Sequence, residues 1–272
     1  MDERVHRTIS NDGTEIAGRV HGDGPPLLLI HGGGGNGEIS WRMLLPYLTR
    51  RFTCFAMSTR GRGLSSEAIN ADHTIHRLVD DVVAFAESIG EPIGAVGHSS
   101  SIALAAATRT KAISAVAVYE PAVGAALEET QTSLEDTVVR MMEMAATGQY
   151  AESARIFVEE SGLFNADEVA ALESTGTYEM MAPNVPAWCR EMPEYAGATE
   201  AAVLSQVQVP VLLLQGSQTD PWFAASIQYM KRNIANAYVV EIPGAGHMGP
   251  LLAPKEVSDE LIRFFTLVYE SS

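Results

Sequence analysis

Gly97-His98-Ser99-Ser100-Ser101 is the stretch on which the fold turns. Immediately before it runs an apolar segment, Ile93–Val96, and immediately after it an apolar helical one, Ile102–Ala107. A strand that breaks sharply into a helix lifts the central serine out of a sheet and points it at the crevice beyond the carboxyl ends of the strands. The helix N-terminus behind that serine favours developing negative charge. The last position of the G-x-S-x-G pattern is Ser101 rather than glycine, so the argument rests on the flanking strand and helix as much as on the motif.

Working outward, apolar runs of strand length recur at Pro26–Ile30, Phe52–Met57, Ile113–Tyr119, Val209–Gln215 and Ala237–Ile242. Amphipathic stretches of helical length separate most of them: Trp41–Arg50, Thr74–Ile89, Ser99–Thr110 and Trp222–Ala235. In the second, Leu78, Val82, Phe85, Ala86 and Ile89 recur at three- and four-residue steps and form one apolar stripe. Strands alternating with helices predict βαβ units and a parallel sheet covered on both faces. The opening differs, because Val5–Ser10 and Glu15–Val20 flank Asn11-Asp12-Gly13, which predicts an antiparallel hairpin. The alternation lapses over residues 122–205, where only helical patterns such as Leu134–Ala146 and Ala151–Glu160 occur. This segment is expected to be a helical cap inserted into a core built from residues 1–121 and 206–272. Six of the eleven methionines fall in it, a composition suited to an adaptable apolar pocket.

A serine hydroxyl needs a base to take its proton, and the base needs a carboxylate to fix its tautomer. Of seven histidines, His247 has the best placement, in Gly244-Ala245-Gly246-His247 directly after the last strand. The carboxylate has two candidates. Asp220 follows the strand that ends near Gln215 and completes the chain order Ser, Asp, His, so it is the expected acid. Glu120, directly after the strand Ile113–Tyr119, is the alternative or else a pocket residue. Backbone N–H groups of Gly33, in His31-Gly32-Gly33-Gly34-Gly35, and of Ser100 are the expected donors to an oxyanion. No Lys-Ser/Thr follows the glycine run, which excludes a Walker loop. A dinucleotide-binding reading would leave Ser99 and His247 without a role, so no cofactor is called for.

With these four pieces in place the chain resembles the α/β-hydrolase superfamily along nearly its whole length. The resemblance implies an α/β fold with an eight-stranded, mostly parallel sheet flanked by helices and a helical cap after the sixth strand. It also covers Arg60-Gly61-Arg62-Gly63-Leu64-Ser65, with Ser58 where many relatives carry aspartate. The implied activity is hydrolysis of a carboxylic ester or lactone of a small, largely uncharged molecule through an acyl-enzyme on Ser99. The same triad also serves thioester or carbon–carbon cleavage, perhydrolysis, and slow-turnover ligand receptors. An aspartate nucleophile, as in dehalogenase and epoxide hydrolase branches, is absent at residue 99.

Charge and cysteine content narrow the partners. The net charge is −16, and residues 125–200 hold 15 Asp and Glu against three Arg, a local balance of −12. Such a field repels phosphate backbones and anionic lipid, which argues against nucleic-acid or membrane-surface binding. Met1-Asp2-Glu3-Arg4 is charged and no apolar signal region follows. The two cysteines, Cys54 and Cys189, have no C-x-x-C or metal-type neighbours, so a cytoplasmic, metal-free protein is expected.

Overall fold

The structure is a computed structural model that describes residues 4–270; the charged Met1–Glu3 lies outside the described residues. Eight strands form one sheet: β1 (Arg4–Ile9), β2 (Glu15–His21), β3 (Pro26–Ile30), β4 (Thr53–Met57), β5 (Ile93–His98), β6 (Ile113–Tyr119), β7 (Val211–Gly216) and β8 (Ala237–Ile242). Their spatial order is β1-β2-β4-β3-β5-β6-β7-β8. β1 and β2 form the expected hairpin, β2 runs antiparallel to β4, and every other pairing is parallel. Parallel strands are buried on both faces, which explains the unbroken apolar runs of β3 and β5.

Two apolar layers cover the sheet. One joins β3, β5 and β6 to the helices Ile75–Ser88, Ile102–Ala107 and Pro221–Asn233 through residues such as Phe85, Leu104 and Ile227. The other packs Trp41, Phe52 and the C-terminal helix Pro254–Glu270, with Phe265 at its centre, against the opposite face. The stripe seen in the sequence at Leu78, Val82 and Phe85 is the buried face of its helix. Trp41–Arg50 is shorter than its pattern suggests. Only Leu45–Leu48 is α-helical, with Pro46 in its first turn.

Between β6 and β7 the regular elements of the described residues are all helical, from Gly124–Thr130 to Ala201–Leu204, with turns and loops between them. Part of this insertion has its own small core, formed by Met141, Ala154, Ile156, Val185 and Trp188. Pro183, Pro186 and Pro193 cut its later half into short α and 3-10 pieces.

The Arg60–Ser65 loop divides its two arginines. Arg60 is fully buried and forks onto Asp81, at 2.8 and 2.6 Å, while another nitrogen donates to Asp12 of the hairpin turn at 2.8 Å. Ser58, standing in place of the commoner aspartate, accepts the Gly37 N–H at 3.1 Å and so leaves no unpaired group.

Candidate active site

Ser99 sits one residue beyond β5 with φ at +57°, in the left-handed region that residues with a Cβ seldom occupy. Such a backbone costs about 1–3 kcal/mol and persists only where its surroundings enforce it. Here the Ser99 N–H donates to Tyr119 O at the end of β6, at 2.9 Å. A Cβ on Gly97 would lie 2.3 Å from Ser100 O, so the turn closes only with glycine there. Ser101 is buried at the start of the following helix with an ordinary negative φ, which is why serine is accommodated at the final motif position.

Ser99 and His247 share the wall of one cavity of about 630 Å³ that lies between the sheet and the helical insertion. Its lining is mainly apolar, including Leu127, Met142, Phe157, Leu172 and Trp188. Among the six methionines of the insertion, Met142, Met181 and Met192 face it. No hydrogen bond joins Ser99 to the His247 ring among the described residues; nucleophile–base contacts often tighten only with substrate in place.

The His247 ring is held on several sides. It stacks on Phe223 with centroids 3.9 Å apart and planes 5° from parallel, and Phe164 meets it edge-on at 5.5 Å. The adjoining backbone is fixed as firmly. Tyr119 Oη donates to Gly246 O at 2.6 Å, and His98 Nε2 donates to His247 O at 2.9 Å. Burial, reinforced by the neighbouring His247, pushes the His98 pKa down to about 3, so this ring is a neutral donor. From the insertion, Glu168 accepts the Met248 N–H at 2.5 Å while closing a capping box with Asn165. Burial raises the Glu168 pKa above the usual carboxylate value.

Glu120 is the carboxylate that meets His247. Its Oε2 lies 3.0 Å from Nδ1, its Oε1 accepts the Gly216 N–H at 2.7 Å, and the side chain is fully buried. A second left-handed residue accounts for this, since φ at Glu120 is +41° and turns the side chain back toward the crevice. Asp220, the acid expected from chain order, is not brought to His247. It is the N-cap of the helix Pro221–Asn233, with Oδ1 accepting the Trp222 N–H at 2.8 Å and Pro221 in the first turn. The Asp-Pro pair is itself a helix-start signal that could have redirected the reading.

The two N–H groups expected to hold an oxyanion belong to the glycine loop after β3 and to the residue that follows Ser99. Among the described residues neither the Gly33 nor the Ser100 N–H has a protein acceptor, and Gly33 lines the cavity. A Cβ on Gly33 would fall 2.1 Å from the Trp188 indole nitrogen, so the insertion closes directly over the glycine loop. Arg62 secures that loop from behind. Its Nη1 donates to the carbonyls of Gly32, Gly33 and Gly35, at 3.3 Å for the first and 3.1 Å for the last. Its Nη2 pairs with Glu191 of the insertion, and both side chains are buried. Holding the carbonyls on one side leaves the N–H groups to the other. His31 completes the support: Nε2 accepts the Thr59 N–H at 3.0 Å, so Nδ1 carries the hydrogen donated to Gly32 O at 2.8 Å. Burial and the positive charge of Arg62 push its pKa down to about 4.

Among the described residues no three His, Cys, Asp or Glu side chains are grouped to hold a metal ion. None of their helices is long and apolar enough to cross a membrane. Sequence reading missed Arg62, Glu168 and Phe223, whose contacts join segments far apart in the chain.

The eight-stranded, mostly parallel sheet with flanking helices agrees with the comparisons to known proteins. The model of the Alpha/beta hydrolase family matches residues 27–260, and the chain belongs to that family. It is 26% identical over 239 residues to N-formylmaleamate deformylase of Pseudomonas putida, covering 85% of each chain. An alpha/beta hydrolase from Sphaerobacter thermophilus superposes with a TM-score of 0.80 at 24% identity, covering 96% of this chain and all of that one. The enol-lactonase of Burkholderia xenovorans gives 0.72 at 20% identity, over 96% of this chain and 100% of that one. The chain is an α/β-fold hydrolase.

Proposed function

We propose that the chain is a serine hydrolase that cleaves a carboxylic ester or lactone of a small molecule, with Ser99 as nucleophile, His247 as base and Glu120 as acid. The observation that carries this reading is the 3.0 Å contact of a fully buried carboxylate with His247 Nδ1, on the wall of the cavity that also contains Ser99. With Nδ1–H committed to Glu120, Nε2 is the nitrogen left to accept a proton.

In this mechanism Ser99 Oγ bonds to the substrate carbonyl carbon as its proton passes to His247 Nε2. The carbonyl oxygen becomes an oxyanion held by Gly33 and Ser100 N–H groups. Collapse breaks the bond to the leaving oxygen, which takes the proton from His247 and departs as the alcohol. Water then attacks the acyl-enzyme, gives its proton to His247, and releases the acid with Ser99 restored. Residues 122–205 act as the cap that shields this sequence from bulk water, over a core of residues 1–121 and 206–272.

The similarity to a deformylase supports a second reading, in which the bond cleaved is an amide. The residues and the proton path are the same, and the leaving group is an amine. Paired ester and amide substrates with a common acyl group separate the two. The two free cysteines, Cys54 and Cys189, support a reducing, cytoplasmic setting.

The test is hydrolysis of a panel of 4-nitrophenyl esters and lactones, with labelling by a serine-directed phosphonate. Ser99→Ala should abolish labelling and lower turnover by about 10⁶. An alanine variant that kept a tenth of the activity would overturn the mechanism.

A further inference from the structure

Resting on that hydrolase reading, we infer that the substrate carries a carboxylate remote from the bond that is cleaved, and that Arg42 binds it. Among the described residues Arg42 is the only lysine or arginine on the cavity wall. It stands where the segment after the glycine loop meets the insertion. Its Nη1 donates to Ile39 O at 2.8 Å and its Nη2 to Thr177 Oγ1 at 3.2 Å. Both Ile39 and Thr177 also line the cavity.

These two acceptors are neutral. A guanidinium has five N–H donors in a planar fork, so three remain, and its charge is uncompensated. Arg62, the other arginine beside the glycine loop, shows the contrast, because it is paired with Glu191. Among the described residues Glu135 is the one carboxylate lining the cavity, and no ion pair joins it to Arg42. Burial alone lowers the Arg42 pKa, with no carboxylate acting to raise it again. In a chain of net charge −16, an arginine facing an apolar cavity without an acidic partner is the local exception.

A charged group half withdrawn from water is costly unless paired, and the partner that best fits a guanidinium fork is a carboxylate bound through two parallel hydrogen bonds. The cavity then selects a molecule with an apolar body, a carbonyl at Ser99 and a carboxylate at Arg42. This modifies the expectation of a largely uncharged substrate. The acidic surface of the insertion repels anions at long range, but the cavity wall offers a cation at contact.

Matched substrates test the inference. 4-Nitrophenyl monoesters of glutaric, adipic and pimelic acids are compared with the same compounds capped as methyl esters, which places the charge on the acyl side. 4-Acetoxybenzoate against methyl 4-acetoxybenzoate places it on the leaving group. In at least one series the acid should exceed its capped partner in kcat/KM by about tenfold or more, as a charge-assisted hydrogen bond allows. In Arg42→Gln that ratio should fall to about one, with the loss mainly in KM, and Arg42→Lys should retain part of it. A ratio near one in the parent enzyme, in both series, would overturn the inference while leaving the hydrolase reading intact. So would a preference that survives Arg42→Gln. Should that variant not fold, the parent ratio and Arg42→Lys decide. Absence of hydrolysis and of phosphonate labelling throughout would instead overturn the hydrolase reading itself.

Discussion

The ends of β6 and β7 lie side by side, and each is followed by a carboxylate, yet the two acids do different things. Glu120 comes directly after β6 with φ at +41°, is fully buried, and spans Gly216 N–H and His247 Nδ1. Asp220 comes four residues after Gly216, the last residue of β7, in extended backbone at φ −64° and ψ 146°, and closes the first turn of a helix. The chain order of a familiar triad favours Asp220. The backbone decides otherwise, because the strained turn at Glu120 aims its side chain into the crevice while the extended conformation at Asp220 directs its oxygen to the Trp222 N–H. β7 still contributes to the site, through the Gly216 N–H that holds Glu120.

The largest effect that could break this contrast is kinetic. Glu120→Gln keeps the shape but replaces an acceptor with an amide that favours the wrong tautomer of His247, so turnover should fall by at least about 10³. Asp220→Asn should stay within about tenfold of the parent, and the double variant should match Glu120→Gln. Steady-state kinetics on one activated ester are sufficient. If Asp220→Asn is instead the crippling change and Glu120→Gln stays active, the assignment of the acid reverts to Asp220.

The legible parts of the sequence were those written in local pattern. β3, β6 and β8 coincide with the apolar runs that announced them, and the other strands differ by a residue or two. Ser99 and His247 could be singled out because Ser99 directly follows β5 and His247 lies in the loop that follows β8, and a crevice lies at such strand ends. Glu120 carried a weaker signal: a single acid at the end of a strand with no other charge. Arg62 and Phe223 gave none. Arg62 meets Glu191, 129 residues away, and nothing in Arg60-Gly61-Arg62 states which arginine turns toward the glycine loop and which toward the hairpin. Periodicity reports which face is buried, but not against what.

That pair of arginines extends the contrast and supplies the next test. On the proposed mechanism Arg62 is a positioning residue: it touches the carbonyls of the glycine loop and the buried Glu191, and its action on substrate would pass through Gly33. Arg62→Met leaves Glu191 without its arginine partner and should lower the unfolding free energy by about 3–5 kcal/mol. Arg62→Lys keeps the charge without the fork. Its kcat should fall by up to about 10²-fold through a misplaced oxyanion donor, with KM nearly constant. A lysine variant with parental kcat would show that the loop holds its shape unaided.

The smallest effect sharpens the role left to Asp220. As an N-cap it satisfies one of the N–H groups that a helix start leaves unpaired, and Pro221 presets the first turn. Asp220→Ala should therefore lower the unfolding free energy by about 1 kcal/mol, while Asp220→Ser, which keeps a side-chain acceptor, should recover most of the loss. Turnover per folded molecule should be the same within about twofold for both, since the Phe223 ring that stacks on His247 belongs to the following helix but is also buried in the core beneath it. Urea denaturation measures the first quantity, and active-site titration with the phosphonate normalises the second. Should alanine and serine lose turnover alike while stability is unchanged, Asp220 would be acting on the reaction and not on the helix, and the division of labour between the two strand ends would collapse.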